Sequence, residues 1–277
     1  MCPSIIIKNY IIPKDFKKEY YNLRNISKRI VKKFDIYPIN EARNVARLGK
    51  KTILFLSGDI ENYSSNGYER KVSKLATVYL LEQRRKIVLV HRRFEYEKGF
   101  KRPKNKKELK KLLDRKKAGI FHSFQFVGAH YIRGLKEWLA VPENGNETSS
   151  FMTINYTNPI WEPQFVGDDR VPFHDEIFPY RFRSNTHLGN IMCHQEFRFT
   201  ILNDVFTAHE GRKRRLEDNE VKFYVEGHKK VKNIISKFNG NLKKMYPHMK
   251  NICKNMTVGS TGYIAKRYKQ LMANGTI

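Results

Sequence analysis

Two acidic residues that follow a short apolar run are the sharpest local signal of chemistry in this sequence. Asp59 and Glu61 come directly after residues 53–56, in the stretch ILFLSGDIE. Side chains at positions i and i+2 of an extended segment project to the same side, so both carboxylates could approach one ion. Carboxylate oxygens suit hard cations such as Mn²⁺ or Mg²⁺, which can neutralise a diphosphate. The same spacing is typical of a solvated turn, and both readings stay open.

The residues before the acidic pair predict a helix and a strand that would position it. Residues 37–48 predict a helix opened by Asn40 as its capping residue, with Val45 and Ala46 on its inner face. Residues 53–56 form an unbroken apolar run, which is typical of a strand covered on both faces. In open α/β sheets, ligands bind at the carboxyl ends of the strands, where the acidic pair would lie.

The later segments favour the α/β fold class. Residues 67–83 have the apolar spacing of an amphipathic helix, and residues 86–91 predict a second buried strand. Strand, helix and strand in this order predict a right-handed crossover in a mainly parallel sheet flanked by helices. Further along, residues 197–202 and 205–208 predict two strands separated by an Asn-Asp turn, and residues 220–238 predict a long basic helix.

The charge of the chain points to anionic partners. Its 277 residues include 54 Lys and Arg against 27 Asp and Glu, a formal net charge of +27. Such an excess attracts nucleic acid, nucleotide donors or anionic surfaces. Residues 98–117 form the densest basic run, so a nucleic-acid-binding protein is one alternative. It is the less favoured one, because the aromatic residues are spread through presumed core segments rather than aligned as a base-stacking platform.

Cysteines and glycosylation sequons bear on the compartment. Three cysteines, Cys2, Cys193 and Cys253, lack zinc-ligand spacing and are too few for a disulfide framework, so we expect isolated buried thiols. No apolar run approaches the roughly 20 residues that cross a bilayer. Asn-x-Ser/Thr sequons permit a secretory lumen. They start at Asn25, Asn62, Asn146, Asn155, Asn255 and Asn274.

Several spaced motifs, taken in order, resemble the glycosyltransferases of family 49. The stretch YPINEARNVARLGKKTILFLSGDIENYSSNGY is similar to the family's helix, apolar strand and Asp-x-Asp metal motif. Two later stretches, WEPQFVGDDRVPFHDEIFPYRF and FRFTILNDVFTAHEG, look like the family's Trp-Glu-Pro and Asp-Glu-x-Phe segments and its closing histidine segment. The resemblance runs from about residue 37 to residues 246–247, some three quarters of the chain.

The resemblance implies a GT-A-like α/β fold that binds a UDP-sugar donor through a divalent metal, Mn²⁺ or Mg²⁺. By position, Asp59, Glu61 and His209 would hold the metal, and Asp59 would also contact the donor. Asn40 and Arg43 would contact the donor because their helix precedes the metal strand, and a solvated helix charge is an equal alternative for Arg43. The implied reaction is inverting transfer of a sugar, such as glucuronic acid, to a glycan or glycoprotein acceptor. The implied location is the Golgi, where the family uses a membrane anchor that this sequence does not contain.

Inverting transfer also needs a carboxylate that accepts the proton of the acceptor hydroxyl. Glu162, Asp175 and Glu176 are the candidates in the second motif block, and Asp175 and Glu176 are the preferred catalytic residues. These two carboxylates could equally be exposed residues that cap a turn.

The sequence also departs from the family pattern. Glu61 stands where the family has a second Asp, and Ile191 falls where the family has an acidic residue. Too few residues precede the first motif for a complete nucleotide-binding half. We therefore expect an N-terminally truncated domain, with residues 1–36 as an extension or remnant, 37–250 as the transferase domain and 251–277 as a tail. A catalytically impaired or fragmentary family member is accordingly a further alternative.

Overall fold

The computed structural model describes residues 38–126, 128–179, 182–183, 185–212, 216–257 and 262–275. The chain divides into two compact units, Met1–Tyr37 and Pro38–Ile277. The first unit lies outside the described residues, and so do Cys2 and the sequon at Asn25.

A mixed sheet forms the centre of the described unit. Its strands are β1 (Phe55–Ser57), β2 (Tyr63–Ser64), β3 (Ile87–Tyr96), β4 (Ala118–Ile120), β5 (Ser150–Ile154), β6 (Gln164–Gly167) and β7 (Arg198–Glu210). They follow the order β1-β6-β3-β7-β2, with β4 added to β3 and β5 added to β7. The α/β class is confirmed, but the expectation of a mainly parallel sheet is wrong: among the described strands, β3 and β7 are the parallel pair and the other pairings are antiparallel.

The predicted strand, helix and strand unit is present with one strand inserted into it. β1 and β3 both pair antiparallel to β6, so they run in the same direction on either side of it. The predicted second strand, β3, is longer than expected and is buried along nearly all of its length. β1 is shorter and lies at the end of the strand order, where Ile53 and Leu56 are half exposed. The expectation that this apolar run is covered on both faces is therefore wrong.

Helices flank the sheet, and the predicted helices over residues 67–83 and 220–238 are both present. No helix in the described part of the chain is both long and apolar enough to pass through a bilayer. The helices are α1 (Ile39–Leu48), α2 (Tyr68–Ala76), which continues as the π-helical segment Thr77–Glu82, α3 (Lys106–Asp114), α4 (Leu135–Ala140), α5 (Thr186–His194), α6 (Asp218–Met245), the 3₁₀ turn Pro247–Met249 and α7 (Gly262–Ala273).

The two strands predicted over residues 197–202 and 205–208 are one continuous strand, β7. The Asn-Asp pair that predicted a turn instead forms an irregularity inside the strand, where Asp204 has a φ of 58°. The Asp204 carboxylate lies 3.6 Å from Lys106 Nζ, and both side chains are 4% exposed. A buried ion pair therefore lies at the Asn-Asp pair that the sequence predicted to be a turn.

The first helix buries polar residues rather than apolar ones. Asn40, Asn44 and Arg47 face the protein, whereas Val45 is half exposed, so the predicted inner face of Val45 and Ala46 is wrong. The expected cap is also wrong, because Asn40 lies inside the helix. These three side chains donate hydrogen bonds to backbone carbonyls of residues 171–178. The helix thus binds a loop through its polar groups, which the apolar spacing could not reveal.

Two of the three cysteines form a disulfide. Cys193 in α5 bonds to Cys253 beyond α6, with a Cα–Cα distance of 5.9 Å. The expectation of isolated thiols is wrong for this pair, because the 60 residues that separate it in sequence hide its proximity. Disulfides persist mainly in oxidising compartments.

Arg47 links α1 to the loop that follows β6 through both hydrogen bonds and ring contacts. Its guanidinium donates to the carbonyl oxygens of Val171 and Pro172 and lies 4.4 Å from the ring centres of Phe55 and Phe173. We expect Arg47→Ala to lower the free energy of unfolding by about 2–3 kcal/mol, since two buried carbonyls lose a charged donor. Val45→Ala, on the exposed face of the same helix, is the control and should change it by less than about 0.5 kcal/mol. If urea unfolding showed equal changes in the free energy of unfolding for the two variants, Arg47 would not stabilise the contact between α1 and the loop.

A buried histidine should make the stability depend on pH. Burial lowers the pKa of His91 to about 3, below the ordinary value of 6.5, and Tyr68 Oη lies 2.8 Å from its Nδ1. Because the unfolded chain takes up a proton first as the pH falls, this residue removes stability from about pH 6.5 downward. The loss is at most about 1.4 kcal/mol per pH unit. In urea unfolding at pH 7, 6, 5 and 4, His91→Gln should show a shallower loss than the parent protein, and parallel curves would count against the assignment.

Candidate functional site

A buried arginine binds the first acidic residue of the predicted motif. Asp59 lies two residues beyond β1, and its Oδ2 is 2.6 Å from Arg93 Nη2 on the central strand β3. The Arg93 side chain is only 4% exposed, whereas that of Asp59 is 30% exposed. Arg43 on α1 approaches the other carboxylate oxygen at 3.8 Å. Asp59 therefore lies between one buried and one more accessible guanidinium.

Aromatic and polar side chains surround the Arg93 guanidinium. It lies 4.0 Å from the ring centre of Phe121, and its Nη1 is 3.4 Å from His130 Nδ1. Burial lowers the pKa of Arg93, while the nearby charges of Asp59 and Glu162 favour its charged form. The buried cation is thus compensated by two carboxylates that come from the two separate motif blocks.

Glu162 is the carboxylate of the second motif block that shares this charge cluster. Burial raises its pKa above the usual range, and the charge of Asp59 acts in the same direction. Arg93, Arg183 and the side chain of Asn185 favour its ionised form and oppose that rise. Its backbone N–H donates to the carbonyl of Ala129 at 2.8 Å. A carboxylate whose pKa is raised by burial binds a proton more tightly than an exposed one, which suits it to accept a proton.

The turn that carries the acidic pair also holds an unsatisfied amide. Glu61 is exposed, and the backbone N–H of Asn62 donates to the carbonyl of Asp59 at 3.2 Å. Both the Oδ1 and Nδ2 atoms of Asn62 are buried without a hydrogen-bond partner among the described residues. Buried amides rarely stay unpaired, so this turn is a place where a bound group or water would complete the hydrogen bonding.

His209 belongs to a neighbouring cluster. It lies opposite Glu95 in the register of β7 and β3, and its Nδ1 is 3.2 Å from the carbonyl oxygen of Gly211. Glu95 is fully buried, and its carboxylate lies 3.6 Å from Arg212 Nε. The rings of His209 and Phe121 are 5.6 Å apart, and Phe121 is also the ring beneath Arg93.

These side chains, as arranged, do not fit a divalent cation held by Asp59, Glu61 and His209. No three His, Cys, Asp or Glu side chains in the described part of the chain group closely enough to hold a metal ion. The Asp59 carboxylate is instead bound by Arg93, and a metal would require it to release that guanidinium. The metal ligands implied by the resemblance stay a prediction. In this structure the cations beside Asp59 are the side chains of arginines.

The two preferred catalytic carboxylates lie on the loop that α1 holds. Glu176 Oε1 accepts a hydrogen bond from Asn44 Nδ2 at 2.9 Å, and Asp175 Oδ1 accepts one from the backbone N–H of Ile177. Asn40 donates to the carbonyl of Asp175 at 3.3 Å, and Arg43 Nη1 donates to Asn40 Oδ1 at 3.3 Å. Helix α1 therefore brings this loop to the Asp59 side of the sheet; Glu176 is bound by the helix, and Asp175 makes a local contact within the loop.

Sequence reasoning did not find the arginine on which the cluster depends. Arg93 follows an apolar run in the stretch VLVHRRFEY, and the presence of charges inside a buried strand is the signal that could have marked it. Ile191, at the family's acidic position, packs against the apolar cluster that contains Phe178 and Phe182.

Asp59 should contribute to stability because it compensates Arg93. We expect Asp59→Ala to lower the free energy of unfolding by about 1–3 kcal/mol, since it leaves a buried guanidinium without its partner. Glu61→Ala, which removes an exposed carboxylate two residues away, should change it by less than about 0.5 kcal/mol. If both carboxylates instead formed an empty metal site, removing either one would relieve repulsion and stabilise the protein in urea unfolding.

Comparison with known proteins gives the family. The sequence model of a family described as glycosyl-transferase for dystroglycan matches residues 4–247, which includes residues before the first motif. β-1,4-Glucuronyltransferase 1 of Homo sapiens is 27% identical over 221 residues, covering 78% of this chain and 50% of the relative. The protein of the same name from Danio rerio is 28% identical over 256 residues, covering 91% of this chain and 55% of the relative.

The chain therefore spans about half the length of the curated relatives that it matches. The described unit is a mixed α/β fold consistent with a GT-A-like glycosyltransferase. Because the family match covers most of the chain and includes the blocks that supply Asp59 and Glu162, the chain belongs to glycosyltransferase family 49.

Proposed function

We propose that this chain transfers a sugar from a UDP-sugar donor to a glycan acceptor, with inversion at the anomeric carbon. The observation that carries the proposal is that two carboxylates compensate one buried guanidinium, Arg93: Asp59 contacts it at 2.6 Å, and the charge of Glu162 favours its charged form. Two motif blocks that lie about a hundred residues apart in the sequence thereby contribute to one cluster. The relatives are named as glucuronyltransferases, so glucuronic acid is the donor sugar to test first.

The reaction requires one bond to form and one to break. The acceptor hydroxyl attacks the anomeric carbon on the face opposite the diphosphate, and the bond from that carbon to the diphosphate oxygen breaks with its electron pair leaving on UDP. The hydroxyl proton passes to a carboxylate. We assign Glu162 to that role in place of Asp175 and Glu176, because its raised pKa and its position in the Asp59 cluster suit proton acceptance.

The leaving diphosphate carries negative charge that must be neutralised. Arg43 is the more accessible of the two guanidiniums that flank Asp59, with 23% of its side chain exposed. We assign Arg43 to the diphosphate and Arg93 to the positioning of Asp59. A bidentate guanidinium matches phosphate oxygens geometrically, and a partly buried site strengthens the attraction.

A family member that binds glycan without turnover is the second candidate. Ile191 replaces an acidic residue and lies in an apolar cluster, where it can neither accept a proton nor bind a sugar hydroxyl. Binding of UDP without transfer to any glycan acceptor would favour this candidate.

The compartment that we propose is the Golgi lumen or another oxidising part of the secretory pathway. The disulfide between Cys193 and Cys253 supports it, and the exposed sequon residues Asn146, Asn155 and Asn255 are compatible with it.

The proposal predicts that one carboxylate variant loses turnover and keeps donor binding. Glu162→Gln should reduce transfer from UDP-glucuronic acid by at least about 100-fold, because the amide cannot accept the proton. UDP affinity by calorimetry and the thermal midpoint should stay close to those of the parent protein. Glu176→Gln is the matched control and should retain most of the activity.

Three results would contradict these assignments. Full turnover in Glu162→Gln would show that Glu162 is not the proton acceptor. Loss of turnover in Glu176→Gln with UDP binding intact would show the same. UDP titrations are run in Mn²⁺ and in EDTA. If Mn²⁺ tightens binding and both Asp59→Asn and His209→Ala abolish that gain, the metal site implied by the resemblance is correct and the assignment of Arg43 is wrong.

A further inference from the structure

A cavity of about 480 Å³ lies beyond the cluster, and its lining has the composition of a site for acidic sugars. It is bounded by two arginines, two aromatic residues, and amide and hydroxyl side chains, and no acidic residue lines it among the residues that the structure describes. The lining residues that the argument uses are Tyr131, Arg133, Asn155, Thr157, Trp161 and Arg198.

The two arginines of this cavity are available to a ligand. Arg133 and Arg198 are both exposed, and neither guanidinium has an ion pair or hydrogen bond with the residues that the structure describes. Unpaired guanidiniums around a concavity attract carboxylate or sulfate groups, which they can bind bidentately. The charge pattern therefore selects an anion rather than a neutral molecule.

The other lining residues suit a sugar ring. Tyr131 is 55% exposed and offers an aromatic face, while the exposed side chain of Thr157 offers a hydroxyl group. Aromatic faces pack against the apolar faces of sugar rings, and amides and hydroxyls bind the ring hydroxyls. A few placed polar groups beside aromatic surface are the general pattern of small-ligand sites.

Buried hydrogen bonds fix the walls of the cavity before any ligand binds. Arg92 donates to the carbonyl oxygens of Ile132 and Arg133, each at 2.6 Å. Tyr156 Oη donates to the carbonyl of Trp161 at 2.7 Å and closes the turn on the opposite wall. Walls that are already ordered reduce the entropy cost of binding.

A second cavity shares Tyr131 with the first and is lined by residues that contact Arg93 of the charge cluster. It measures about 290 Å³ and is lined by Tyr131, which also lines the first cavity, and by Phe121 and His130. His130 contacts Arg93, and Phe121 is the ring beneath that guanidinium. An oligosaccharide that places one sugar in the first cavity can therefore extend along Tyr131 toward Asp59.

We propose that the cavity between Tyr131 and Arg198 binds an acidic sugar of an oligosaccharide. Calling this oligosaccharide the acceptor rests on the proposed function, whereas the binding itself does not. The Asn155 sequon lies on the rim, so the protein for the test is produced in bacteria, which leaves Asn155 unmodified.

The test measures binding of four defined probes by calorimetry at fixed ionic strength. They are an unsulfated glucuronate-containing tetrasaccharide, a sulfated tetrasaccharide, neutral chitotetraose and a random DNA 12-mer. We expect one or both acidic tetrasaccharides to bind and the neutral one to bind at least tenfold more weakly, and the pair of acidic probes distinguishes carboxylate from sulfate. The double variant Arg133→Gln/Arg198→Gln should weaken acidic-sugar binding at least tenfold.

A charge-matched control separates a built site from general attraction to a basic chain. Lys107→Gln/Lys111→Gln removes two exposed lysines of α3 and should leave the binding unchanged. Four outcomes would overturn the inference. The two double variants could lose affinity equally, or the neutral probe could bind as tightly as the acidic ones. The arginine variant could weaken DNA binding as much as sugar binding, or no probe could bind. Acidic-sugar binding without UDP binding or turnover would leave the inference standing and count against the proposed transfer alone.

Discussion

The buried guanidinium of Arg93 is the constraint on which this site depends. A cation placed on the central strand of a sheet must be compensated, because removing a charge from water is costly unless opposite charges and hydrogen bonds replace the solvent. Asp59 meets that requirement at 2.6 Å, and Glu162 adds a second negative charge. The edge loop after β1 and the loop before β6 are thereby tied to the same central strand.

The polar face of α1 extends this organisation to the second motif block. Its Asn and Arg side chains bind backbone carbonyls of the loop over residues 171–178, and Arg43 on the same helix approaches Asp59. The helix therefore aligns the loop and the Asp59 turn at once. Apolar packing would let the helix slide along the loop, whereas hydrogen bonds to specific carbonyl groups fix its position relative to the loop.

The sequence predicted the parts of the fold that depend on local patterns. The amphipathic helix over residues 67–83, the buried strand that contains Val88 and Val90, and the position of Asp59 after an apolar run all follow from periodicity. The insertion of β6 between β1 and β3 could not be predicted from periodicity, because strand order depends on contacts between distant segments. The disulfide was missed for the same reason.

Some residues of the site could also be predicted from the sequence, and others could not. The apolar run before Asp59 marked that residue, and the family-like motifs gave Glu162 as one of three candidate carboxylates, of which Asp175 and Glu176 were preferred. The motifs could not show that Arg93 would be buried against Asp59, since an arginine in a strand ordinarily points to solvent. The polar inner face of α1 was missed because apolar spacing reports packing and not hydrogen bonds to a distant loop.

A double-mutant cycle on Asp59 and Arg93 tests the central claim most directly. It compares the free energies of unfolding of the parent protein, Asp59→Asn, Arg93→Gln and the double variant, all measured in urea without added metal. The account predicts a coupling free energy of at least about 1.5 kcal/mol, because the two charges interact in a largely buried site. Additive effects of the two substitutions, within about 0.5 kcal/mol, would show that Asp59 does not hold Arg93 and would contradict the account.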